Sequence, residues 1–308
     1  MPMTVDPAIR LEGITKKFRR IHALKGITLE IPTGQVFGFL GPNGAGKTTA
    51  IRIMLDLVRP TAGNVYLFGQ HVRREHNVLR RVGAIAEGPA FYPYLSAWRN
   101  LEVIARTANR YDPAQIKALL DRVGLANRAH QRVRTYSLGM KQRLGVAAAL
   151  ITNPDILILD EPTNGLDPAG MQEIRQLIRE ESTQRGRTVF LSSHLLNEVE
   201  QVCDRVAIIH RGEVLREGAV SALLSSGTRL YLEGTPHDTL VAALSERWQV
   251  APEGNGVTLA AAPEDAPAIV RTLVERAVDV YQVVVQRQSL EEFFLDVTGT
   301  GKGIKTNV

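Results

Sequence analysis

The sequence contains one cysteine, Cys203, in 308 residues, which excludes an intrachain disulfide bond. Disulfides are typical of oxidising compartments, so this chain is expected in a reducing one. The flanking residues Val202 and Asp204 offer no partner that would activate a thiolate. We therefore predict that Cys203 is a buried structural thiol and not a nucleophile.

Long apolar runs are also absent. No segment approaches the roughly 18 consecutive apolar residues that a helix needs to span a bilayer. The first residues, MPMTVDPAIR, lack the apolar core of a signal peptide. The sequence therefore predicts a soluble protein, and any action at a membrane is expected to come through a partner.

Aromatic residues make up only 6% of the chain, and no long block of like charges occurs although the net charge is +5. Few aromatics argue against a surface that stacks on single-stranded nucleic acid. Scattered arginines are more typical of solvated faces than of a nucleic-acid footprint. We expect no nucleic-acid partner, and the same positive charge would suit an anionic membrane surface equally well.

Strand-like segments alternate with helix-like segments up to about residue 225, a pattern typical of an α/β fold. The predicted strands are 27–31, 36–40, 65–68, 82–86, 156–159, 189–191 and 206–209. The predicted helices are 47–58, 101–109, 113–123, 140–152 and 170–183. The apolar run 156–159 favours a strand buried in a parallel sheet, although periodicity alone also allows a buried helix segment. Residues 88–150 interrupt the predicted mixed sheet as a helical subdomain.

The pattern changes after Gly227. The strand segments 230–232, 248–250, 257–259 and 280–285 and the helix segments 239–247 and 267–277 follow in the order β-α-β-β-α-β. This order predicts a small α+β accessory domain with a ferredoxin-like split arrangement. We therefore divide the chain into a large domain, 1–227, an accessory domain, 228–298, which ends in a helix over 289–296, and a flexible tail, 299–308.

The clearest chemical motif is GPNGAGKT, which follows the predicted strand 36–40 and precedes a predicted helix. Its glycines let backbone N–H groups turn toward phosphates, and the helix N-terminus adds a positive field. We assign Lys47 to the β- and γ-phosphates of a nucleotide and the Thr48 hydroxyl to Mg²⁺. The predicted nucleotide-binding residues of this phosphate loop are Gly41, Pro42, Asn43, Gly44, Ala45, Gly46, Lys47, Thr48 and Thr49.

Two acids follow the apolar run 156–159. Asp160, at the strand end, suits a water-mediated contact with Mg²⁺. Glu161 is placed to polarise the water that attacks the γ-phosphorus. His194 follows another predicted strand beside the same edge. A lone histidine is more often structural, so its position alone leaves both roles open.

Five motifs in fixed order resemble those of the nucleotide-binding subunit of ABC transporters, over roughly residues 8–225. They are GPNGAGKT from Gly41, YSLGMKQR from Tyr136, ILILDEP from Ile156, NGLDP from Asn164, and SSH ending at His194. Kinases and GTPases that share the phosphate loop have no equivalent of the second motif. The resemblance implies an ATPase that uses ATP and Mg²⁺. It also implies a homodimer, or a pair with a paralogous subunit, bound to integral membrane permeases at the cytoplasmic face of the cell membrane.

The same resemblance implies roles for further residues. Ser137 and Gly139 close over the ATP of the other subunit, and Asp167 communicates across that interface. His194 contacts the γ-phosphate and helps to position the attacking water, and Phe18 stacks on adenine. The motif with Ser137 also precedes a helix-like run, whose N-terminus offers backbone donors to an anion. A capping serine on an ordinary helix is the alternative.

The sequence departs from the family pattern in two places. Leu138 and Met140 replace a glycine and a glutamine of the usual LSGGQ, and Glu87 replaces the usual glutamine after the strand 82–86. A carboxylate binds Mg²⁺ more strongly than an amide, so we assign Glu87 to the metal and to catalysis. Both departures, and the segment 88–93, resemble the bacterial branch that serves bacitracin and lantibiotic-type peptide efflux and related drug export.

The helical subdomain is where membrane partners are expected to dock. Its aromatic residues Phe91, Tyr92 and Tyr94 would suit an exposed docking patch, although the same rings would also suit a core. Export of a drug, an antibiotic peptide or a similar substrate through separate membrane subunits is therefore the predicted function.

Two non-transport classes of ABC ATPase compete with this prediction. Translation factors carry two ATPase cassettes in one chain, and chromosome-maintenance ATPases carry a long coiled-coil insertion between the phosphate loop and the acids. This chain has a single set of motifs, and only about a hundred residues separate Lys47 from Asp160. A non-transport ATPase acting on a ribosomal or nucleic-acid partner is kept as the alternative.

Overall fold

Three buried strands lie next to one another inside a six-stranded sheet and end at the motifs. Val36–Leu40, Ile156–Asp160 and Thr188–Ser193 contain no exposed residue, and helices pack on the sheet that these strands share. Strands buried on both faces give continuous apolar runs in the sequence, so the strands predicted at these places are confirmed. The rings of Phe37 and Phe190 stack across the sheet with their centroids 5.9 Å apart.

The computed structural model describes residues 6–88, 90–225, 229–286 and 289–298. No helix within those ranges is both long and apolar enough to cross a membrane. The chain divides into two compact units, 1–218 and 219–308. The predicted flexible tail, 299–308, and the predicted boundary at residues 227 and 228 lie outside the described residues.

The first unit alternates strands with helices. Its strands are β1 (Ile9–Phe18), β2 (Ile21–Ile31), β3 (Val36–Leu40), β4 (Ala62–Leu67), β5 (Gln70–His71), β6 (Val82–Ile85), β7 (Ile156–Asp160), β8 (Thr188–Ser193), β9 (Arg205–His210) and β10 (Glu213–Ala219). Its helices are α1 (Lys47–Met54), α2 (Ala97–Thr107), α3 (Pro113–Arg122), α4 (Leu138–Ala149), α5 (Pro168–Thr183) and α6 (Leu196–Val202).

These strands form two sheets. The six-stranded sheet has the order β10-β9-β3-β8-β7-β6, in which β3 is parallel to β8 and β9, and β7 is parallel to β6 and β8. The four-stranded sheet has the order β2-β1-β4-β5 and is antiparallel. Parallel strands place their carboxyl ends at one edge, where ligands of α/β proteins bind. The predicted α/β class is confirmed.

Helices α2, α3 and α4 lie between β6 and β7 in the chain, and polar side chains begin each of them. The Ser96 hydroxyl accepts a hydrogen bond from the N–H of Arg99 at the start of α2. Asp112 accepts from the N–H of Ala114 at the start of α3, where Pro113 is the first helical residue. Such caps satisfy backbone donors that have no partner within the helix.

A buried carboxylate joins this helical segment to α5. Glu181, on α5, is 0% exposed and forms ion pairs with Arg122 at the end of α3 and with Arg187 just before β8. The more exposed Arg185 approaches the same carboxylate to 3.7 Å. Burial, with the positive charges of Arg185 and Arg187, lowers the pKa of Arg122 to about 10, so this guanidinium remains charged at neutral pH. The buried carboxylate of Glu181 is therefore the counter-ion of two guanidinium groups, Arg122 and Arg187, which are themselves largely buried.

Cys203 lies in the core of the first unit. A Cβ added to Gly38 of β3 would lie 2.9 Å from its Sγ atom, so the thiol packs directly on the central strand. Burial raises the pKa of the Cys203 thiol well above its ordinary value. A thiol that is kept neutral is a poor nucleophile, and the prediction of a buried structural cysteine is confirmed.

The second unit is a small α+β fold. Its strands are β11 (Arg229–Thr235), β12 (Val250–Glu253), β13 (Gly256–Leu259) and β14 (Asp279–Gln286), and its helices are α7 (Val220–Ser225), α8 (His237–Ser245), α9 (Ala266–Glu275) and α10 (Leu290–Thr298). The sheet is antiparallel with the order β12-β13-β11-β14. This order and the intervening helices α8 and α9 give the ferredoxin-like split arrangement that the sequence predicts.

Several elements differ from their predictions. Strands β1, β5 and β10 and helices α6 and α7 were not predicted, and β2 and α2 begin at Ile21 and Ala97, earlier than predicted. In β1, register shifts beside Gly13 break the alternation of buried and exposed residues. Helix α1 ends at Met54 instead of residue 58, because Asp56 adopts a left-handed backbone with φ of 55°. The strand predicted at 248–250 begins only at Val250.

Candidate active site

The phosphate loop connects β3 to α1 at the carboxyl edge of the six-stranded sheet. A Cβ at Gly41 would lie 2.2 Å from the carbonyl oxygen of Ile209, so only glycine allows the loop to pack this closely on β9. Gly46 has φ of 113°, and a Cβ there would lie 2.7 Å from the carbonyl oxygen of Ala23 on β2. These two contacts fix the loop against two strands at the point where α1 begins.

Lys47 is the buried cation of this loop. Its Nζ donates to the carbonyl oxygens of Gly41, at 2.6 Å, and Pro42, at 3.3 Å, and lies 3.1 Å from Oε1 of Glu161. The Lys47 side chain is 6% exposed. The nine predicted residues, 41–49, thus lie on one loop and the first turn of α1, with an ammonium group directly beside a carboxylate from the end of β7.

Asp160 is held between two hydroxyl groups. Its Oδ2 atom accepts a hydrogen bond from Oγ1 of Thr48 at 2.7 Å, and its Oδ1 atom accepts one from Oγ of Ser192 at 2.5 Å. Hydroxyl and carboxylate oxygens are ligands that Mg²⁺ accepts, commonly together with phosphate oxygens and water. Thr48 and Asp160 therefore fit the predicted metal, because loop and strand already bring their oxygens together.

Ser192 belongs to the site although the sequence analysis assigned it no role. Its buried hydroxyl donates to Asp160 and accepts from the backbone N–H of Glu161 at 3.0 Å. One side chain thus orients the carboxylate of the first acid and the backbone of the second. The signal in the sequence was the pair Ser192 and Ser193 directly after the apolar residues 189–191, since a buried hydroxyl requires hydrogen-bond partners.

Glu161 and His194 meet at the same edge, as predicted. Nδ1 of His194 lies 2.8 Å from Oε2 of Glu161, whose other oxygen faces Lys47. Glu161 has a left-handed backbone with φ of 49°, which is uncommon for a residue other than glycine and is typical of functional sites. Two hydrogen bonds from its N–H, to the carbonyl and hydroxyl oxygens of Ser192, hold this conformation.

Glu87 follows the strand β6, which is parallel to β7, and its partner is a residue of α1. It follows β6 by two residues and has φ of 65°, so it too is left-handed. Its carboxylate forms an ion pair with Arg52, one helical turn after Thr48 on α1, and its side chain is 53% exposed. The described contacts do not join Glu87 to Asp160, Thr48 or Glu161. The assignment of Glu87 to the metal and to catalysis stays a prediction. Its ion pair with Arg52 was not predicted.

Ser137 and Asp167 both cap helices. The Ser137 hydroxyl accepts from the N–H of Met140 at the start of α4, and Asp167 accepts from the N–H of Gly170 at the start of α5. A Cβ at Gly139 would meet its nearest atoms only at 3.8 and 4.0 Å, which is ordinary contact. Within the described part of the chain nothing therefore requires glycine at 139, and no hydrogen bond joins this segment to the phosphate loop.

Phe18 is a half-exposed ring at the end of β1. It is 42% exposed, and Nζ of Lys16 lies 4.7 Å from the ring centroid. Its Cα partner on β2 is Ile21, two residues before Ala23, which adjoins Gly46 of the phosphate loop. The structure thus places the aromatic ring predicted to stack on adenine at the strand end nearest the loop.

Comparison with known proteins supplies close relatives over nearly the whole chain. A family model described as ABC transporter matches residues 24–164. The uncharacterized ABC transporter ATP-binding protein YhcH of Bacillus subtilis is 40% identical over 96% of this chain and 97% of its own length. The bacitracin transport ATP-binding protein BcrA of Bacillus licheniformis is 38% identical over 95% and 98%. The lantibiotic transport ATP-binding protein SrtF of Streptococcus pyogenes is 41% identical over 68% and 90%.

Solved structures agree with this kinship. A dimeric ATP-binding cassette in a post-hydrolysis state, bound to ADP and Pi, has a TM-score of 0.63 and 28% identity and covers 69% of this chain and 98% of its own. The cbiO1 protein of Clostridium perfringens, part of an ABC transporter complex, has a TM-score of 0.65 and 26% identity, with coverage of 71% and 91%. Sequence, fold and site geometry together establish that the chain belongs to the ATP-binding subunits of the ABC transporter family, which are ATPases.

Proposed function

We propose that this chain hydrolyses ATP to drive the export of a drug, an antibiotic peptide or a similar substrate through separate membrane subunits. The observation that carries the catalytic part of the proposal is the contact of Glu161 with both Lys47 and His194 at the phosphate loop. The transport part rests on the kinship with bacitracin and lantibiotic transport ATP-binding proteins.

In the proposed reaction, a water molecule attacks the γ-phosphorus of ATP and the bond to the bridging oxygen breaks, giving ADP and phosphate. Glu161 accepts the proton that the water loses, since its carboxylate is the base nearest to the loop lysine. His194 fixes the orientation of that carboxylate and contacts the γ-phosphate. Lys47 and the backbone N–H groups of the loop stabilise the charge on the phosphates.

Mg²⁺ would be held by Thr48 and Asp160, which the structure brings within hydrogen-bond distance. When bound, the ion neutralises charge on the phosphate oxygens. Ser192 keeps the Asp160 carboxylate oriented toward the loop. Glu87 is proposed to contribute a further carboxylate at this edge, which requires it to exchange its partner Arg52.

ABC ATPases dimerise, and we propose that this chain forms a homodimer, or pairs with a paralogous subunit, around two ATP molecules. The N-terminus of α4, with Ser137 and Gly139, then faces the phosphates held by the other copy. The open space around Gly139 among the described residues is compatible with this role, because it leaves the N-terminus of α4 accessible to an anion. Asp167 lies close to this segment in sequence and would transmit closure between the two sites.

ABC ATPases work with membrane permease subunits, and a groove in the first unit suits such a partner. It has a volume of about 610 Å³ and lies between residues 90–92 and the α2 residues Val103, Ile104 and Thr107. Beside it the exposed rings of Tyr92 and Tyr94 lie 5.9 Å apart. We propose that a short permease helix docks here and holds the chain at the cytoplasmic face of the membrane.

Affinity purification from native membranes tests the transport proposal. The tagged full chain is expected to recover a protein with many membrane-spanning helices. Val103→Glu, in the groove, should abolish this recovery, because it places a charge in an apolar contact. Leu57→Glu, at an exposed position outside the groove, is the matched control and should leave recovery unchanged. Recovery of ribosomes or DNA without a membrane protein would instead favour the non-transport alternative.

Replacing Ser192 by alanine is expected to lower kcat by about tenfold to a hundredfold, because Asp160 and the N–H of Glu161 each lose a hydrogen bond. The KM for ATP should change less, since the loop contacts remain. Steady-state ATPase kinetics measure both constants. Ser182→Ala, which removes another buried hydroxyl, one that donates to the carbonyl of Gly34 outside the site, is the control. Equal losses in both variants would contradict a positioning role for Ser192.

A further inference from the structure

The two edges of the sheet in the second unit differ sharply. One edge is β12, which is four residues long and contains Pro252 and Glu253. Proline and charge are the usual means by which natural sheets prevent another strand from adding to an edge. The other edge is β14, which is eight residues long. Within the described residues, β12 therefore resists further pairing, whereas β14 has no pairing partner besides β11.

The sequence of β14 carries none of these protections after its first residue. Asp279 is followed by VYQVVVQ, which contains no charge, proline or glycine. Tyr281 is 67% exposed, Val284 37% and Val285 39%. A register shift occurs near Tyr281, but residues 282–286 remain in continuous register with β11. A long, uncharged strand at the edge of a sheet exposes a row of backbone donors and acceptors that favours strand addition.

The uncharged side chains of β14 indicate which kind of strand could pair with this edge. A strand with acidic or basic side chains would find no complementary charge on residues 280–286. A second copy of the same strand, antiparallel about a two-fold axis, brings uncharged residues opposite uncharged residues and places valine and tyrosine side chains in contact across the pair. ABC ATPases dimerise, which makes a second copy of this chain an available partner for the edge.

We propose that β14 pairs with β14 of a second copy, so that the two four-stranded sheets of the accessory units become one continuous sheet across the dimer. The contact is independent of nucleotide, since it uses no residue of the ATP site. It gives the second unit a function in holding two copies together while their ATPase units open and close. Hydrolysis and transport are not needed for the pairing, so it stands apart from the function proposed above.

Sedimentation equilibrium of the full chain without nucleotide tests the proposal. Val284→Lys places two like charges near each other in the paired strands and should weaken the dimer by about tenfold or more. Ala251→Lys, on the opposite edge strand β12, is the matched control and should leave the dissociation constant unchanged. A dimer as strong in Val284→Lys as in the control, or a wild-type chain that stays monomeric at every concentration, would overturn the proposal.

Cysteine cross-linking gives a measurement that does not depend on a destabilising substitution. In a Cys203→Ser background the chain contains no thiol, so single cysteines can be placed at Gln282, Val283 and Val284 in turn. Near a two-fold axis the same residue of each copy comes within disulfide distance. At least one of these positions should give a cross-linked dimer on mild oxidation, whereas cysteine at Ala251 should not. No cross-link at any of the three, or equal cross-linking at Ala251, would contradict pairing through β14.

Discussion

Glu161→Gln is expected to lower the rate of ATP hydrolysis by on the order of 10²–10⁴-fold, because it removes the group that accepts the proton of the attacking water. Glutamine keeps the size of the side chain and an oxygen that can accept from Lys47 or His194. The site should therefore keep its shape and bind ATP. The variant should also form the ATP-dependent dimer, and it should hold that dimer longer than the wild type because the nucleotide is not consumed. Steady-state phosphate release measures the first effect. Sedimentation with and without ATP, in a Val284→Lys background that weakens pairing through β14, measures the second.

Glu87→Gln is the comparison for this experiment. Glu87 is also a left-handed acid at the end of a strand, but its carboxylate is half exposed and pairs with Arg52. If Glu161 is the base, Glu87→Gln should lower the rate of ATP hydrolysis much less than Glu161→Gln does. Undiminished turnover in Glu161→Gln would reject that role. A loss in Glu87→Gln as large as that in Glu161→Gln would make the carboxylate beside Arg52 equally essential.

Glu181→Gln is expected to destabilise the first unit by about 3–5 kcal/mol, the range observed when one partner is removed from a buried ion pair. Glutamine fits the same space but carries no charge. Arg122 and Arg187, both largely buried, would then lose the buried carboxylate with which each forms its ion pair. Urea unfolding of the full chain, monitored with a spectroscopic probe in the first unit, measures the change in the free energy of unfolding. The urea concentration at the midpoint should fall, while the slope of the free energy against urea concentration should stay the same.

Glu173→Gln is the matched control for this substitution. Glu173 lies on the same helix, α5, and pairs with Arg143, but its side chain is 53% exposed. Removal of a surface pair should cost less than about 1 kcal/mol. If both variants unfold at the same urea concentration, the ion pairs of Glu181 stabilise the unit no more than a surface pair does. The predicted loss of about 3–5 kcal/mol would then be wrong.

The phosphate loop and the two acids, Asp160 and Glu161, were predictable because each motif consists of residues that are consecutive in the sequence. The phosphate loop is eight consecutive residues, and the buried strand β7 ends at Asp160 and is directly followed by Glu161. The parallel order of the strands then implies that side chains at their carboxyl ends meet, which is how His194 comes to contact Glu161.

Contacts between distant segments were not predictable in the same way. The Glu87–Arg52 pair and the two hydrogen bonds of Ser192 depend on which strands and helices become neighbours, and sequence spacing carries no such information. The strand β1 was missed for a local reason: the register shift beside Gly13 places the buried residues Leu11 and Ile14 three positions apart, which breaks the alternation by which strands are recognised.

The position of β3 in the sheet has a consequence for the order of events during synthesis. Its neighbours are β8 and β9, whose pairing places Val36 beside Val189 and Phe37 beside Arg205. The apolar segment 36–40 therefore leaves the ribosome long before either partner exists, and contacts this distant in sequence form slowly. A nascent chain that ends before residue 188 already carries GPNGAGKT but lacks both strands that pair with β3. The phosphate loop is thus among the first functional segments to be made and among the last to be assembled.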